Sequence, residues 1–426
     1  MRNETTQADW IEGVRTVLPA GGFGNFDSSI IIREGRGARV WDEDGGEYVA
    51  DLIGSGPLIL GHGHPEVLEA VEQQLRKGTT FFANNASGIE LAEEICRAVA
   101  CAEQVRYVSP GGEADMYAMR LARAHTGRDK ILKFEGGFHG MSAEALMSLA
   151  PTRLENFPLA SPDSAGIPDN VRDHMLIAPF NDADFASQII AEYSDEIAAV
   201  IVEPLQRLIP PMPGFLETLR EVTNRYGIVL IFDEVVTGFR LAYGGAQEHY
   251  GVTPDLCTLG KIVGGGFPLA AIAGKTELMS YFDKEKAGKA GFTFQNGTLS
   301  GNPIAAVAGL KTLEILRRSS SYERIRANGE RVMRGIHGYL DAMSIPHQIV
   351  GDPVMFDVVF TRAPVDDYRG ALRGDAERSK RFNFHLRNTN VLKLDSKFYI
   401  SLALTEDDLS LTLNAVSDAA RHIVDV

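Results

Sequence analysis

The chain has 426 residues, 44% of them hydrophobic and 23% charged. That composition excludes a disordered polypeptide and suits two or three folded domains. The formal net charge of −15 excludes bulk electrostatic binding to a nucleic-acid backbone or an anionic membrane surface.

The first residues, MRNETTQADW, hold no apolar stretch of the kind a secretory leader carries, so a cytoplasmic home is expected. Residues 39–41 and 48–52 flank the turn residues Asp44-Gly45-Gly46, which predicts a hairpin. His62-Gly63-His64 offers two metal-ligand side chains with no third beside them in sequence. The segment from Gly61 to Pro65 is predicted to lead into a helix, and no metal is expected. Cys96, Cys101 and Cys257 are odd in number and form no C-x-x-C. Neither a disulfide framework nor a zinc knuckle is expected from them.

The middle of the chain alternates short apolar runs with amphipathic stretches. Gln104–Val108, Lys130–Phe134, Ile197–Val202 and residues 228–232 are predicted strands, buried on both faces. Residues 113–126 and Phe215–Tyr226 carry apolar side chains at helical spacing. The alternation argues for an α/β layered unit with a mostly parallel sheet. The longest nearly apolar stretch, residues 264–274, is too short for a membrane helix. Further on, residues 354–361 and 398–404 are predicted strands and residues 406–424 a long helix, as in a smaller α+β unit. The expected division is 1–69 and 313–426 in a small domain built from both termini, with 70–312 as the large domain.

Several clusters along this frame carry chemistry. Glycine is in excess, 43 of 426 residues, against a usual ~7%. Gly111-Gly112 stand between a predicted strand and helix, where free backbone amides and the helix dipole suit a phosphate; a tight turn without ligand would use the same residues. No G-x-G-x-x-G occurs, and the Gly274-Lys275-Thr276 ending lacks the glycine a Walker loop needs at position 269, which is Leu. Asp233 ends an apolar run, where open α/β sheets bind ligands; a cap on the next element would use the same residue. Lys261 lies between apolar sequence and Gly264-Gly265-Gly266. A desolvated lysine there has the lowered pKa of a Schiff-base amine; a surface lysine on a flexible loop is the commoner case. Phe138 and His139 sit among glycines just after a strand.

Taken in order, these segments resemble the class III aminotransferases, fold-type I enzymes that use pyridoxal 5'-phosphate (PLP), and within them the branch containing glutamate-1-semialdehyde 2,1-aminomutase. The likeness covers most of the chain. It runs through Gly56-Pro57-Leu58-Ile59-Leu60-Gly61-His62-Gly63-His64-Pro65, Thr126-Gly127-Arg128-Asp129-Lys130-Ile131 and Phe138-His139-Gly140. It continues through Val202-Glu203-Pro204, Phe232-Asp233-Glu234-Val235, Gly260-Lys261 and Gly297-Thr298-Leu299-Ser300-Gly301-Asn302-Pro303. The resemblance implies a large domain with a mainly parallel seven-stranded sheet and a smaller α+β domain.

The resemblance also assigns roles. Lys261 is implied to hold PLP as a Schiff base and to shuttle the proton, and Asp233 to pair with the pyridine nitrogen. Phe138 and Val235 would pack on the two ring faces, with His139 beside them. Glu203 and Gln206 would lie near the ring oxygen and Asp233. Gly111 and Gly112 would hold the phosphate, and Thr298 would reach it from a neighbouring subunit, so a homodimer is implied. The partners are a small-molecule amino donor and a keto-acid acceptor, with Arg33, Arg240 and Arg387 as candidates to bind a carboxylate.

The chain also departs from the family pattern. Its phosphate turn reads Pro110-Gly111-Gly112 where relatives have Ser-Gly-Thr, and Phe138 replaces a Tyr. The Trp of the aminomutase's Gly-Ser-Trp-Gly-Pro is missing from Gly54-Ser55-Gly56-Pro57. No Glu precedes the last strand, around Asp395 to Ser401. The expected activity is transfer of an amino group from an amine or a β- or ω-amino acid to a keto acid. An intramolecular aminomutase or an amino-acid racemase is the second reading, and a non-catalytic PLP-fold binding protein the third.

Overall fold

A computed structural model describes residues 6–25, 28–393 and 395–424. Seven strands form the central sheet. In spatial order they are Gln104–Val108, Ala270–Gly274, Leu256–Leu259, Val229–Glu234, Ile197–Val202, Lys130–Phe134 and Met175–Ala178. All neighbours pair in parallel except Ala270–Gly274, which is antiparallel to both its partners. Ile197–Val202 and Val229–Glu234 are buried at every residue. That burial explains their unbroken apolar sequence, since helices cover both faces.

One strand runs differently from its apolar run. Its backbone pairing starts at Val229 and continues through Asp233 and Glu234, opposite Thr258 and Leu259. Hydropathy ends at Phe232, but the ladder carries two acids into the core. The helix Gly111–Thr126 likewise starts two residues ahead of its apolar pattern, so the glycine pair opens it. His64 precedes the helix Pro65–Leu75, which begins on its proline.

The chain ends meet in a four-stranded sheet. Ile32–Arg36, Arg39–Asp42 and Glu47–Ala50 are antiparallel neighbours, and Val391–Leu392 adds in parallel to the last of them. A three-stranded sheet joins Gln348–Asp352, Met355–Val359 and Phe398–Tyr399. Here the predicted strand 398–404 shrinks to two residues. Tyr399 pairs with Met355, the first residue of its partner strand, so the ladder runs out. The Ile400 amide makes one more bond across the pair, to the Val354 carbonyl, and the Leu402 amide turns away to that of Ile59. The helices Ser321–Ala342, Ala376–Asn388 and Glu406–His422 pack together beside these sheets. Among the described residues no helix is long and apolar enough to cross a membrane, and Cys96, Cys101 and Cys257 carry free thiols.

Candidate active site

The carboxyl ends of the parallel strands lie along one edge of the sheet, and the chemistry gathers there. Asp233 stands at the end of its strand, Lys261 two residues after Leu256–Leu259, and Glu203 directly after Ile197–Val202. His139 follows Lys130–Phe134, and Gly111 opens the helix that follows Gln104–Val108.

Asp233 is buried and held from three sides. Its Oδ2 lies 2.8 Å from His139 Nδ1. Its Oδ1 accepts from the Val235 amide at 3.0 Å and from the Thr258 hydroxyl at 3.4 Å. Glu203 and Gln206, which the resemblance places beside Asp233, are engaged elsewhere. Glu203 Oε2 accepts from the Phe138 amide at 2.8 Å, and Gln206 Nε2 donates to the Glu135 carbonyl at 2.8 Å.

Lys261 adopts a left-handed backbone, φ 49°, which costs a non-glycine residue free energy and recurs at functional positions. Burial holds its amine below the usual lysine range, against the opposing pull of Tyr399, Asp233 and Glu203. Gly56 explains how this lysine is seated. A Cβ there would meet Tyr399 Cε1 at 3.1 Å and Lys261 Cδ at 3.5 Å, at φ 106°. The segment that lacks the aminomutase's Trp is therefore in contact with the lysine.

The glycine pair makes a cradle. A Cβ on Gly111 would lie 2.7 Å from both Val235 methyls, and one on Gly112 would lie 2.7 Å from the Gly140 Cα. The two amides open a 16-residue helix with no carbonyl of that helix to bond, and so suit a phosphate. Two buried polar atoms, His139 Nε2 and Gln206 Oε1, have no hydrogen-bond partner. A Cβ on Gly137 would lie 3.1 Å from the first and 3.3 Å from the second. Phe138 is half-buried beside them. A helix N-terminus for a phosphate, a desolvated lysine, a carboxylate and orphaned polar atoms fit a phosphorylated pyridine aldehyde.

Thr298 is not brought to this group. It is exposed and makes no hydrogen bond or ion pair with the other site residues among the described ones. Its neighbours Gly297 and Ser300 line a separate cavity of about 1060 Å³, together with Phe82, Asn85, Tyr107 and Gln295.

The three arginines considered for a substrate carboxylate fare differently. Arg33 is exposed and pairs with Glu34 at 3.1 Å. Arg240 is fully buried, donates to the carbonyls of Gly56, Val354 and Ile400, and lies 5.2 Å from the Tyr399 ring centre. Its two terminal nitrogens are engaged by these backbone carbonyls, while its buried Nε has no hydrogen-bond partner among the described residues. Arg387 donates to Ser29 Oγ at 3.0 Å and lines a cavity of about 670 Å³.

Two further cations line the same cavity, and sequence patterns gave no sign of them. Arg207 is exposed, has φ 61°, and places its guanidinium 5.4 Å from the Phe138 ring centre. Lys397 is buried, with Nζ 5.8 Å from the Tyr399 ring centre. Burial and then the charge of Arg207 push it down to about 8. Neither makes an ion pair among the described residues. Arg207 sits in a turn with no periodic signature, and Lys397 in the segment read only for its missing Glu. Asp115 and Thr258 were likewise missed. The one signal was an acid set among Ala114, Met116, Ala118 and Met119 on a helix.

With this geometry in view, the comparisons with known proteins decide the family. Residues 24–374 match the family described as Aminotransferase class-III. The chain belongs to the class-III aminotransferases. It is 42% identical over 399 residues to glutamate-1-semialdehyde 2,1-aminomutase 2 of Brevibacillus brevis, covering 92% of this chain and 91% of that protein. In three dimensions it is similar to an omega-transaminase from Sphaerobacter thermophilus. That match has a TM-score of 0.93 and 35% identity over 99% of this chain and 98% of the other. A transaminase with PLP bound matches with a TM-score of 0.89 and 28% identity over 98% and 97% of the two chains. This class-III protein is a PLP-dependent enzyme of the α/β fold-type I class.

Proposed function

We propose that this class-III enzyme is an aminotransferase that moves an amino group from an amine or a β- or ω-amino acid to a keto acid. The observation that carries the reading is the pair Arg207 and Lys397. These cations, without ion-pair partners among the described residues, line one cavity that runs from the exposed Arg207 to the buried Lys397. Lys397 in turn is close enough to Lys261 to disfavour its charge. A carboxylate-bearing donor or acceptor finds its counter-charge there, in place of the glutamate an aminomutase carries in this segment.

PLP, when bound, supplies an electron-withdrawing ring that delocalises negative charge from the substrate carbon. The chain's residues do the rest. Lys261 holds the cofactor through its desolvated amine, and that amine then takes and returns the proton at the carbon bearing the amino group. Asp233, oriented by His139, would present its carboxyl oxygen to the ring nitrogen. The amides of Gly111 and Gly112 hold the phosphate, while Phe138 and Val235 confine the ring.

The second subunit belongs to the same reading. Thr298 is exposed beside Leu299, itself 46% exposed, and its neighbours Gly297 and Ser300 share a cavity with Phe82, which is 67% exposed. A second copy covering these residues would bury them and bring its Thr298 to the site.

The identity to a named aminomutase favours intramolecular transfer as the second reading. Enzyme mixed with amino donors and a panel of keto acids separates the two. The expected result is a newly aminated keto acid with matching loss of donor. A single substrate that isomerises while no keto acid gains nitrogen would overturn the transaminase. Arg207→Ala and Lys397→Ala should each lower kcat/KM for carboxylate-bearing substrates by about 10–100-fold, the loss of one charged hydrogen bond. An uncharged amine donor should lose far less.

A further inference from the structure

Behind Asp233 lies a second carboxyl group that the chemistry above does not use. Asp115 sits in the second turn of the helix Gly111–Thr126, almost fully buried. Its Oδ1 is 2.6 Å from Thr258 Oγ1, and the same hydroxyl is 3.4 Å from Asp233 Oδ1. The juxtaposition is built into the sheet. Asp233 and Thr258 are directly paired residues of neighbouring parallel strands, so their side chains share a face, and the helix lays Asp115 across it.

A threonine hydroxyl has one proton and two neighbours here that want it. With both carboxyls ionised, one of them would lose that hydrogen bond and two negative charges would be buried side by side. A proton on Asp115 resolves the conflict, because every donor then meets an acceptor. We propose that Asp115 is a positioning residue: a neutral carboxylic acid that donates to Thr258, whose hydroxyl then donates to Asp233 and holds it as the ionised partner of the cofactor ring. The chain of donors runs Asp115 Oδ1–H to Thr258 Oγ1, then Thr258 Oγ1–H to Asp233 Oδ1, with His139 on the far oxygen.

The surroundings agree. Burial, then the charges of Asp233 and Glu203, push Asp115 well above the carboxylate range; the Thr258 hydrogen bond and Lys261 oppose this without a contact ion pair. These are the groups that face Asp115 from the neighbouring strands and from the turn that holds Lys261. A neutral buried acid donating a hydrogen bond costs less than an unpaired buried anion.

This inference rests on the placement of Asp233 at the ring, not on the identity of the substrate. Its test is PLP binding and infrared spectroscopy on the full-length enzyme. Asp115→Ala should raise the Kd for PLP by about 10-fold, the size of one hydrogen bond to a charged group. Asp115→Asn, whose amide can donate to Thr258 without a charge, should restore it to within about threefold of the natural enzyme. Thr258→Val should match Asp115→Ala, the double variant should be no worse than either single one, and Thr258→Ser should restore binding. The infrared difference between the natural enzyme and Asp115→Asn at neutral pH should show the band of a protonated carboxyl, contributions common to both, such as Asp51, cancelling. If Asp115→Asn binds PLP as poorly as Asp115→Ala, or the band is missing, Asp115 acts as a charge and the inference is wrong. If Asp233→Asn leaves PLP binding untouched, the placement of the ring itself is wrong. Failure to aminate any keto acid would leave all these binding results standing.

Discussion

Asp51 shows what a single buried residue does to this protein's pH response. It is nearly fully buried, its Oδ2 has no hydrogen-bond partner, and burial, then the charge of Asp408, pushes it up to about 7. The native pKa is raised above the unfolded value of 3.8. The stabilising contribution is therefore complete below about pH 4, is lost as pH rises toward 7, and is gone above that. Asp51→Asn has no charge to bury. It should match the natural protein in stability near pH 4 and exceed it at pH 8, by an upper bound of about 4 kcal/mol. Urea unfolding at the two pH values measures this; an equal gap at both would refute it.

The helix Gly111–Thr126 carries its function in its first turn. Two glycines stand there, and a Cβ added to either would lie 2.7 Å from its nearest neighbour. Gly112 faces the backbone of Gly140, itself at φ 90°, and neither can retreat without moving the other. Gly112→Ala should therefore cost about 1–3 kcal/mol, as overpacking does. It should also weaken PLP binding, because the displaced turn carries the phosphate amides. Gly127, the C-cap at φ 67° with nothing near its Cβ position, is the matched control. Gly127→Ala should cost stability through its backbone alone, with PLP affinity retained. Equal losses of PLP affinity in the two variants would separate the cradle from the cofactor.

Across the whole molecule, the exposed Phe82 and Phe294 are outstanding liabilities for a chain with net charge −15. Exposed aromatic side chains on such a surface are expected to be covered. If the proposed dimer forms through them, Phe294→Glu with Phe82→Glu should give a monomer in sedimentation experiments and should weaken PLP binding, since the partner's Thr298 would then be absent. A double variant that sediments like the natural protein would show that these residues do not form the interface.

The sequence by itself determined the layered α/β frame. Apolar runs such as Ile197–Val202 are buried at every residue, so hydropathy alone marks the strand. Lys261, Asp233 and the glycine pair stood out for a related reason: a charge or a gap at the end of an apolar run is costly without a purpose. Local pattern could not supply what depends on distant segments meeting. The strand at residue 398 ends after two residues because its partner strand begins at Met355. Arg240 looked like a substrate ligand until the carbonyls of Gly56, Val354 and Ile400 closed around it. Arg207, Lys397 and the Asp115–Thr258 pair are ordinary polar residues in sequence. Only tertiary structure buries them, brings them beside Lys261 and Asp233, and so sets which charges lack a partner.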